Sequence, residues 1–276
     1  MRIDAHQHFW RMDRGDYGWL TGKDHPLIAR DFLPDDLAPL LKAARIDRTV
    51  LVQAAPTEAE THFLLELADA SPFIAGVVGW VDFEAPDAAS RIARLAARPK
   101  LLGLRPMIQD LRDEEWMLRP APARAFEAMQ RGALCFDALV KPRHLPALAE
   151  LLERHPDLAV VVDHGAKPDI SHGEIELWST CMRHIGRNSA ACCKLSGLAT
   201  EAGAGWSVAA LKPYVDVLLE SFGPSRLMWG SDWPVLNEAG TYDGWFAAAQ
   251  ELTRHLSQPD REAIFGGTAA KFYRLN

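Results

Sequence analysis

Four cysteines in 276 residues, none in Cys-x-x-Cys spacing, argue against a disulfide framework or a cysteine zinc cluster. Cys192 and Cys193 are adjacent in an apolar run, so buried free thiols are expected. Basic excess is missing too. The formal net charge is −7 with Lys and Arg scattered, which leaves no footprint for nucleic acid. The longest apolar run, Phe73 to Val81, is far too short to span a bilayer. The N-terminus runs straight into Asp4 and His6 with no apolar core, so neither a signal peptide nor a membrane partner is expected, and a cytoplasmic protein is. No glycine-rich phosphate turn follows any apolar run, and no repeat, low-complexity stretch or linker divides the chain.

What is present is alternation. Eight short apolar runs read as strands: Ile3–Phe9, Thr49–Ala54, Ile74–Asp82, Leu101–Pro106, Leu134–Val140, Leu158–His164, Ala191–Ser196 and Leu227–Asp232. Between them lie helical patterns, among them Glu58–Ala70 with Phe63, Leu64 and Leu67 on one face, and Leu145–Arg154 with Leu148, Leu151 and Leu152. A last helix is expected from Pro259 to about Phe272. Eight strands alternating with helices predict one domain over residues 1–276, a closed (β/α)8 TIM barrel, with an open doubly wound sheet as the alternative.

In such a barrel reactive groups belong at the carboxyl ends of the strands, where loops run long. The segment Trp10 to Pro34 after the first strand is of that kind. The aromatic residues Trp10, Tyr17, Trp19, Trp116, Trp206 and Trp233 suit a pocket for a small polyhydroxylated ligand, or simply seal the barrel top. Asp4-Ala5-His6-Gln7-His8 ends the first strand, and strand alternation projects His6 and His8 the same way. Paired imidazoles there can hold a divalent metal or polarise a substrate oxygen. Val160-Val161-Val162-Asp163-His164 ends the sixth strand and offers a third imidazole. Met228-Trp229-Gly230-Ser231-Asp232 ends the eighth with a carboxylate suited to a general base. Each alone has an ordinary alternative: a core histidine, or an aspartate in a turn.

Together these residues resemble the amidohydrolase superfamily. Asp163-His164-Gly165-Ala166-Lys167-Pro168 and Trp229-Gly230-Ser231-Asp232-Trp233-Pro234 look like its sugar-lactonase branch, and Gly103-Leu104-Arg105-Pro106 and Lys194-Leu195-Ser196-Gly197 are similar too. The resemblance spans Ile3 to Tyr273 and is strongest to the L-fuconolactonases, with the L-rhamnonolactonases beside them. It implies a hydrolase that opens a sugar-acid lactone in L-fucose catabolism. Asp232 would be the general base and acid, and His6, His8 and His164 would share the catalytic site. At most one divalent metal, zinc by preference and dispensable in some members of the branch, would sit among His6, His8, His164 and Asp232, because the fourth strand offers Arg105 where many amidohydrolases carry a bridging lysine and the fifth lacks a histidine. Arg105, Lys167, Lys194, Trp10, Trp80 and Trp233 are candidate contacts to substrate, Arg105, Lys167 and Lys194 having surface ion pairs as their alternative. Two other readings compete: a metal-dependent decarboxylase of the same superfamily, and a silent barrel that only binds a sugar acid.

Overall fold

A computed structural model describes residues 1–275. The eight runs become eight parallel strands, β1 (Ile3–Gln7), β2 (Arg48–Val52), β3 (Ile74–Gly79), β4 (Leu101–Leu104), β5 (Cys135–Ala138), β6 (Val160–Val162), β7 (Cys192–Leu195) and β8 (Leu227–Trp229). They lie side by side in sequence order. The ring closes just past the strand ends: Asp232 N–H donates to the His6 carbonyl and His8 N–H to the Trp233 carbonyl, both at 2.8 Å. This is the expected (β/α)8 barrel. The open sheet is excluded.

The helices are α1 (Pro34–Ala44), α2 (Glu58–Ala70), α3 (Ala88–Ala96), α4 (Pro120–Arg131), α5 (Leu145–Arg154), α6 (Glu176–Asn188), α7 (Leu198–Ala202), α8 (Val208–Phe222), α9 (Tyr242–Leu252), α10 (Gln258–Glu262) and α11 (Thr268–Phe272). Thr57 caps α2 by accepting from Glu60 N–H, and Ser207 and Thr241 cap α8 and α9 in the same way. The expected final helix is broken by a wider turn over Ala263–Gly267. The chain passes here against the N-terminus, where a Cβ on Gly266 would lie 2.2 Å from the Met1 carbonyl oxygen. Among the described residues no helix is long and apolar enough to cross a membrane.

Two apolar layers hold the barrel. The larger packs the helices on the outside of the strands. The smaller fills the barrel floor with Ile3, Val50, Val52, Val78, Cys135, Val161, Cys192 and Met228, and Ala269 and Tyr273 plug it from below. No cysteine is in a disulfide, and Cys135, Cys192 and Cys193 are buried, as the composition suggested. Above that floor the barrel interior turns polar.

Candidate active site

The register of β1 on β2 slips between Asp4 and Gln7, where three steps on β1 oppose two on β2. A bulge of this kind re-aims the residues beyond it, and here His6 and His8 turn into the barrel. Their Nε2 atoms lie 3.2 Å apart. Glycines make room for them: a Cβ on Gly230 would stand 2.7 Å from the His6 Cβ. Asp4, buried behind β1, accepts from Ser231 N–H at 2.8 Å and from the Tyr242 hydroxyl at 3.0 Å, which ties the two motifs together. Burial pushes its carboxyl up to about 6, against those hydrogen bonds.

His164 and Asp232 share an unusual backbone. Both have φ in the left-handed region, +54° and +60°, and Gly165, Ala166 and Lys167 continue it at +57°, +62° and +49°. For residues with a Cβ this conformation is costly and concentrates at functional sites. Trp178 anchors the turn by donating Nε1–H to the Gly165 carbonyl at 2.7 Å. The His164 ring sits over Gly197, where a Cβ would come within 2.7 Å, and its Nδ1 is 2.8 Å from the Ser196 hydroxyl.

Asp232 Oδ1 is the point of convergence. It lies 3.3 Å from His8 Nε2, 3.7 Å from His6 Nε2 and 3.8 Å from His164 Nε2. Burial alone would raise its carboxyl, but His164, the His8 contact and Lys167 outweigh burial and hold it below the ordinary range. Burial drives His8 down, and His6 and His164 well down, so the imidazoles are neutral at pH 7. A neutral imidazole cluster around an ionised carboxylate is equipped to accept a proton.

A cavity of about 870 Å³ opens above this cluster. His8, His164, Asp232, Arg105 and Lys167 form its polar floor, and Trp19, Trp80, Phe83, Met107, Trp116 and Leu139 are among its walls. Arg105 is held by the Gln53 carbonyl, which accepts from Nη2, and by Asp163 at 3.4 Å, while its buried Nε has no partner among the described residues. Lys167 lies 3.5 Å from Glu201 and stays partly exposed. At the rim His25 Nδ1 is 2.7 Å from Glu238, joining the long loop after β1 to the loop after β8.

Three expected substrate contacts lie elsewhere. Lys194 is fully buried beneath His6, with its ammonium 2.5 Å from Asp137 and 3.0 Å from Asp163. Strand alternation turns it into the barrel, below the strand ends. Trp10 is buried in the β1 loop, where it donates Nε1–H to the Arg30 carbonyl at 2.8 Å and packs edge-on against Phe32. Trp233 packs on Phe9 and Phe32. Both tryptophans brace the barrel top, the blander of the two readings, and so do Tyr17 and Trp206. His6 also lies below the cavity surface, covered by its neighbours. Asp137, Gln53 and Glu60 are the participants that sequence reasoning passed over. Glu60, in the first turn of α2, is fully buried and accepts from Ala54 and Ala55 N–H. Burial pushes it up to about 7.

The donor set can hold a metal. Ligand atoms of His6, His8 and Asp232 all lie within 4.8 Å of one another, as do those of His6, Asp163 and His164. Ligands about 2.05 Å from a tetrahedral zinc stand about 3.3 Å apart, which is the His8–Asp232 separation of 3.3 Å. His8 Nδ1 donates to the Val52 carbonyl at 2.7 Å. That bond leaves the Nε2 lone pair free, as in ligating imidazoles. His8 Nε2 and Asp232 Oδ1 therefore meet as two acceptors, and a hydrogen or a cation must lie between them. His6, His8 and Asp232 fit one divalent ion, with His164 Nε2 3.8 Å from Asp232 beside them.

A closed parallel barrel with imidazoles and a carboxylate at its strand ends, under a cavity sized for a small molecule, defines a barrel enzyme of the hydrolytic type. The chain belongs to the amidohydrolase family: the model described as Amidohydrolase matches residues 3–275. It is 46% identical over 279 residues to an L-fucono-1,5-lactonase of Burkholderia ambifaria, covering all of this chain and 96% of the relative. It is 38% identical over 287 residues to an L-fucono-1,5-lactonase of Burkholderia multivorans, again across all of this chain and 96% of the relative. Among solved structures it is similar to a Burkholderia multivorans amidohydrolase with bound zinc, at a TM-score of 0.95, 38% identity and full coverage of both chains.

Proposed function

We propose that this protein hydrolyses a sugar-acid lactone, L-fuconolactone or a close relative such as L-galactono- or D-arabinonolactone, to the open aldonate. One observation carries the reading: the Asp232 carboxylate stands at the floor of a small-molecule cavity within 3.8 Å of three imidazoles. The two lactonase relatives support it. A cytoplasmic role in L-fucose catabolism is the setting such a substrate implies.

A lactone is an activated ester, so catalysis needs a deprotonated water, a polarised carbonyl and a proton for the ring oxygen. Asp232 takes a proton from the water as its oxygen bonds to the lactone carbon. The carbonyl oxygen becomes an oxyanion, and Arg105 and Lys167 stand at the cavity floor as its donors. As the oxyanion re-forms the carbonyl, the ring carbon–oxygen bond breaks and Asp232 returns its proton to the departing alkoxide. The product is a hydroxy acid that ionises and releases one proton to solvent. Trp80, half-buried on the cavity wall, flanks the sugar. A zinc or other divalent ion bound by His6, His8 and Asp232 would add Lewis acidity at the carbonyl and lower the pKa of the water.

The test is proton release, followed with a pH indicator, over a panel of L- and D-aldonolactones. The fuconolactone group is expected to turn over fastest. If no lactone opens, the reading fails, and carbon dioxide release from aromatic acids would then favour the decarboxylase reading.

A further inference from the structure

Gln53 has no part in the mechanism above, yet it is fully buried just past β2 and contacts both the guanidinium and the carbonyl of Arg105. Its backbone carbonyl accepts from Arg105 Nη2, and its Oε1 lies 3.4 Å from the same nitrogen. In return its Nε2–H donates to the Arg105 carbonyl at 2.7 Å. Nε2 is also 3.3 Å from the sulfur of Met107, a cavity wall residue. The other end of the guanidinium, Nη1, lies 3.4 Å from Asp163 Oδ2 and from His6 Nε2. Arg105 N–H donates to the Gly79 carbonyl at 2.8 Å, so backbone and side chain are both held.

The chemistry of an amide suits this place. A glutamine presents an acceptor and donors on one planar group. Here the acceptor meets a guanidinium, which can only donate, and a donor meets a carbonyl, which can only accept. A carboxylate would set an acceptor against the Arg105 carbonyl, and an ammonium would set a donor against the guanidinium. The end of β2 is used twice, because the Val52 carbonyl accepts from His8 Nδ1 at 2.7 Å. Two successive carbonyls thus hold His8 on the β1 side and Arg105 on the β4 side.

We infer that Gln53 is a positioning residue for Arg105: its amide fixes the guanidinium and the backbone that carries it, so the donor meets the oxyanion already aimed. Donors set in advance do not reorganise as charge develops, which is the source of their effect on rate. The inference rests on the lactonase reading with Arg105 as an oxyanion donor.

Turnover of L-fucono-1,5-lactone by pH-stat in the full-length protein tests it, through a double-mutant cycle of Gln53→Met and Arg105→Lys. Methionine matches glutamine in size and removes the amide contacts. Arg105→Lys should lose about 10²–10³-fold in kcat. Gln53→Met should lose about 10–10²-fold in kcat with KM little changed, as for a misplaced catalytic group. In the Arg105→Lys background, Gln53→Met should cost less than about 3-fold, because the guanidinium it aims is gone. A residue that only supports the fold would cost the same factor in both backgrounds, so equal factors overturn the inference. A kcat for Gln53→Met within about 2-fold of wild type overturns it too. Should Gln53→Met not fold, Gln53→Glu carries the same cycle with the same expectations, since it keeps the shape and loses the N–H given to Arg105. If wild type opens the lactone and Arg105→Lys does so equally well, the donor role of Arg105 falls and the inference with it. If wild type opens no lactone, the lactonase reading itself is what fails.

Discussion

Asp137 and Asp232 are both buried aspartates inside the same barrel, and their surroundings give them opposite behaviour. Asp137, on β5, lies below the strand ends, where Lys194 and the Tyr273 hydroxyl, at 2.7 Å, bind it. Burial raises its carboxyl, and the neighbouring Asp163 adds to that, against the pull of Lys194. Asp232 lies one layer higher, beneath the cavity, and its neighbours hold it down. Carboxylates differ here by access. One is sealed by a cation and a plug; the other opens onto the cavity.

Breaking the sealed layer should have the largest effect. Lys194→Met leaves Asp137 without its cation and Asp163 with Arg105 alone, and removing one partner of a buried pair costs about 3–5 kcal/mol. Urea unfolding should show a loss of that size. A loss below about 1 kcal/mol would mean that the layer is not held by charge.

Glu60 gives the comparison a third member, a carboxyl raised by burial against the opposing pull of two backbone N–H groups and the more distant Arg105. Its folded pKa, about 7, lies above the ordinary 4.5, so the folded state keeps a proton that the unfolded state has lost. Its contribution to stability is fully present below pH 4.5 and is lost as pH rises to about 7. Across that window wild type should lose ~1.4 kcal/mol per pH unit relative to Glu60→Gln. Parallel stability curves for the two proteins would contradict this.

Smaller effects sit at the upper layer. Gly197→Ala adds a methyl 2.7 Å from the His164 ring at a φ of +68°. Overpacking of this kind costs about 1–3 kcal/mol. A drop in lactone turnover should accompany the lower melting temperature, because His164 must move. The rim pair His25–Glu238 is part-exposed, and His25→Gln should change stability by less than about 1 kcal/mol. Melting in low and high salt would check that.

The same contrast explains what could be read from sequence. All eight strands were legible, because strands covered on both faces are runs of Val, Ile and Leu bounded by polar residues. Their ends were read long, at Phe9 where β1 stops at Gln7, since the residues beyond still point into the barrel. The short α7, Leu198–Ala202, is too brief for apolar spacing to mark it in the sequence. His6, His8, His164 and Asp232 were found because they end strands. Asp137 was missed although a single carboxylate in Cys135-Phe136-Asp137-Ala138-Leu139-Val140 is a signal in itself: a buried charge needs a partner. That partner, Lys194, is 57 residues away, and no local pattern connects them. The tautomer of His8 depends likewise on the Val52 carbonyl, which lies far from it in sequence.

The central claim is that Asp232 moves the protons of lactone opening. Asn tolerates the left-handed backbone that Asp232 adopts, with φ at +60°, and it cannot take a proton, so Asp232→Asn isolates the chemistry from the fold. The decisive measurement is kcat for L-fucono-1,5-lactone by pH-stat in wild type and Asp232→Asn, with melting curves for both. The account predicts a loss of about 10²–10⁴-fold at an unchanged or higher melting temperature. A kcat within a few-fold of wild type would contradict it.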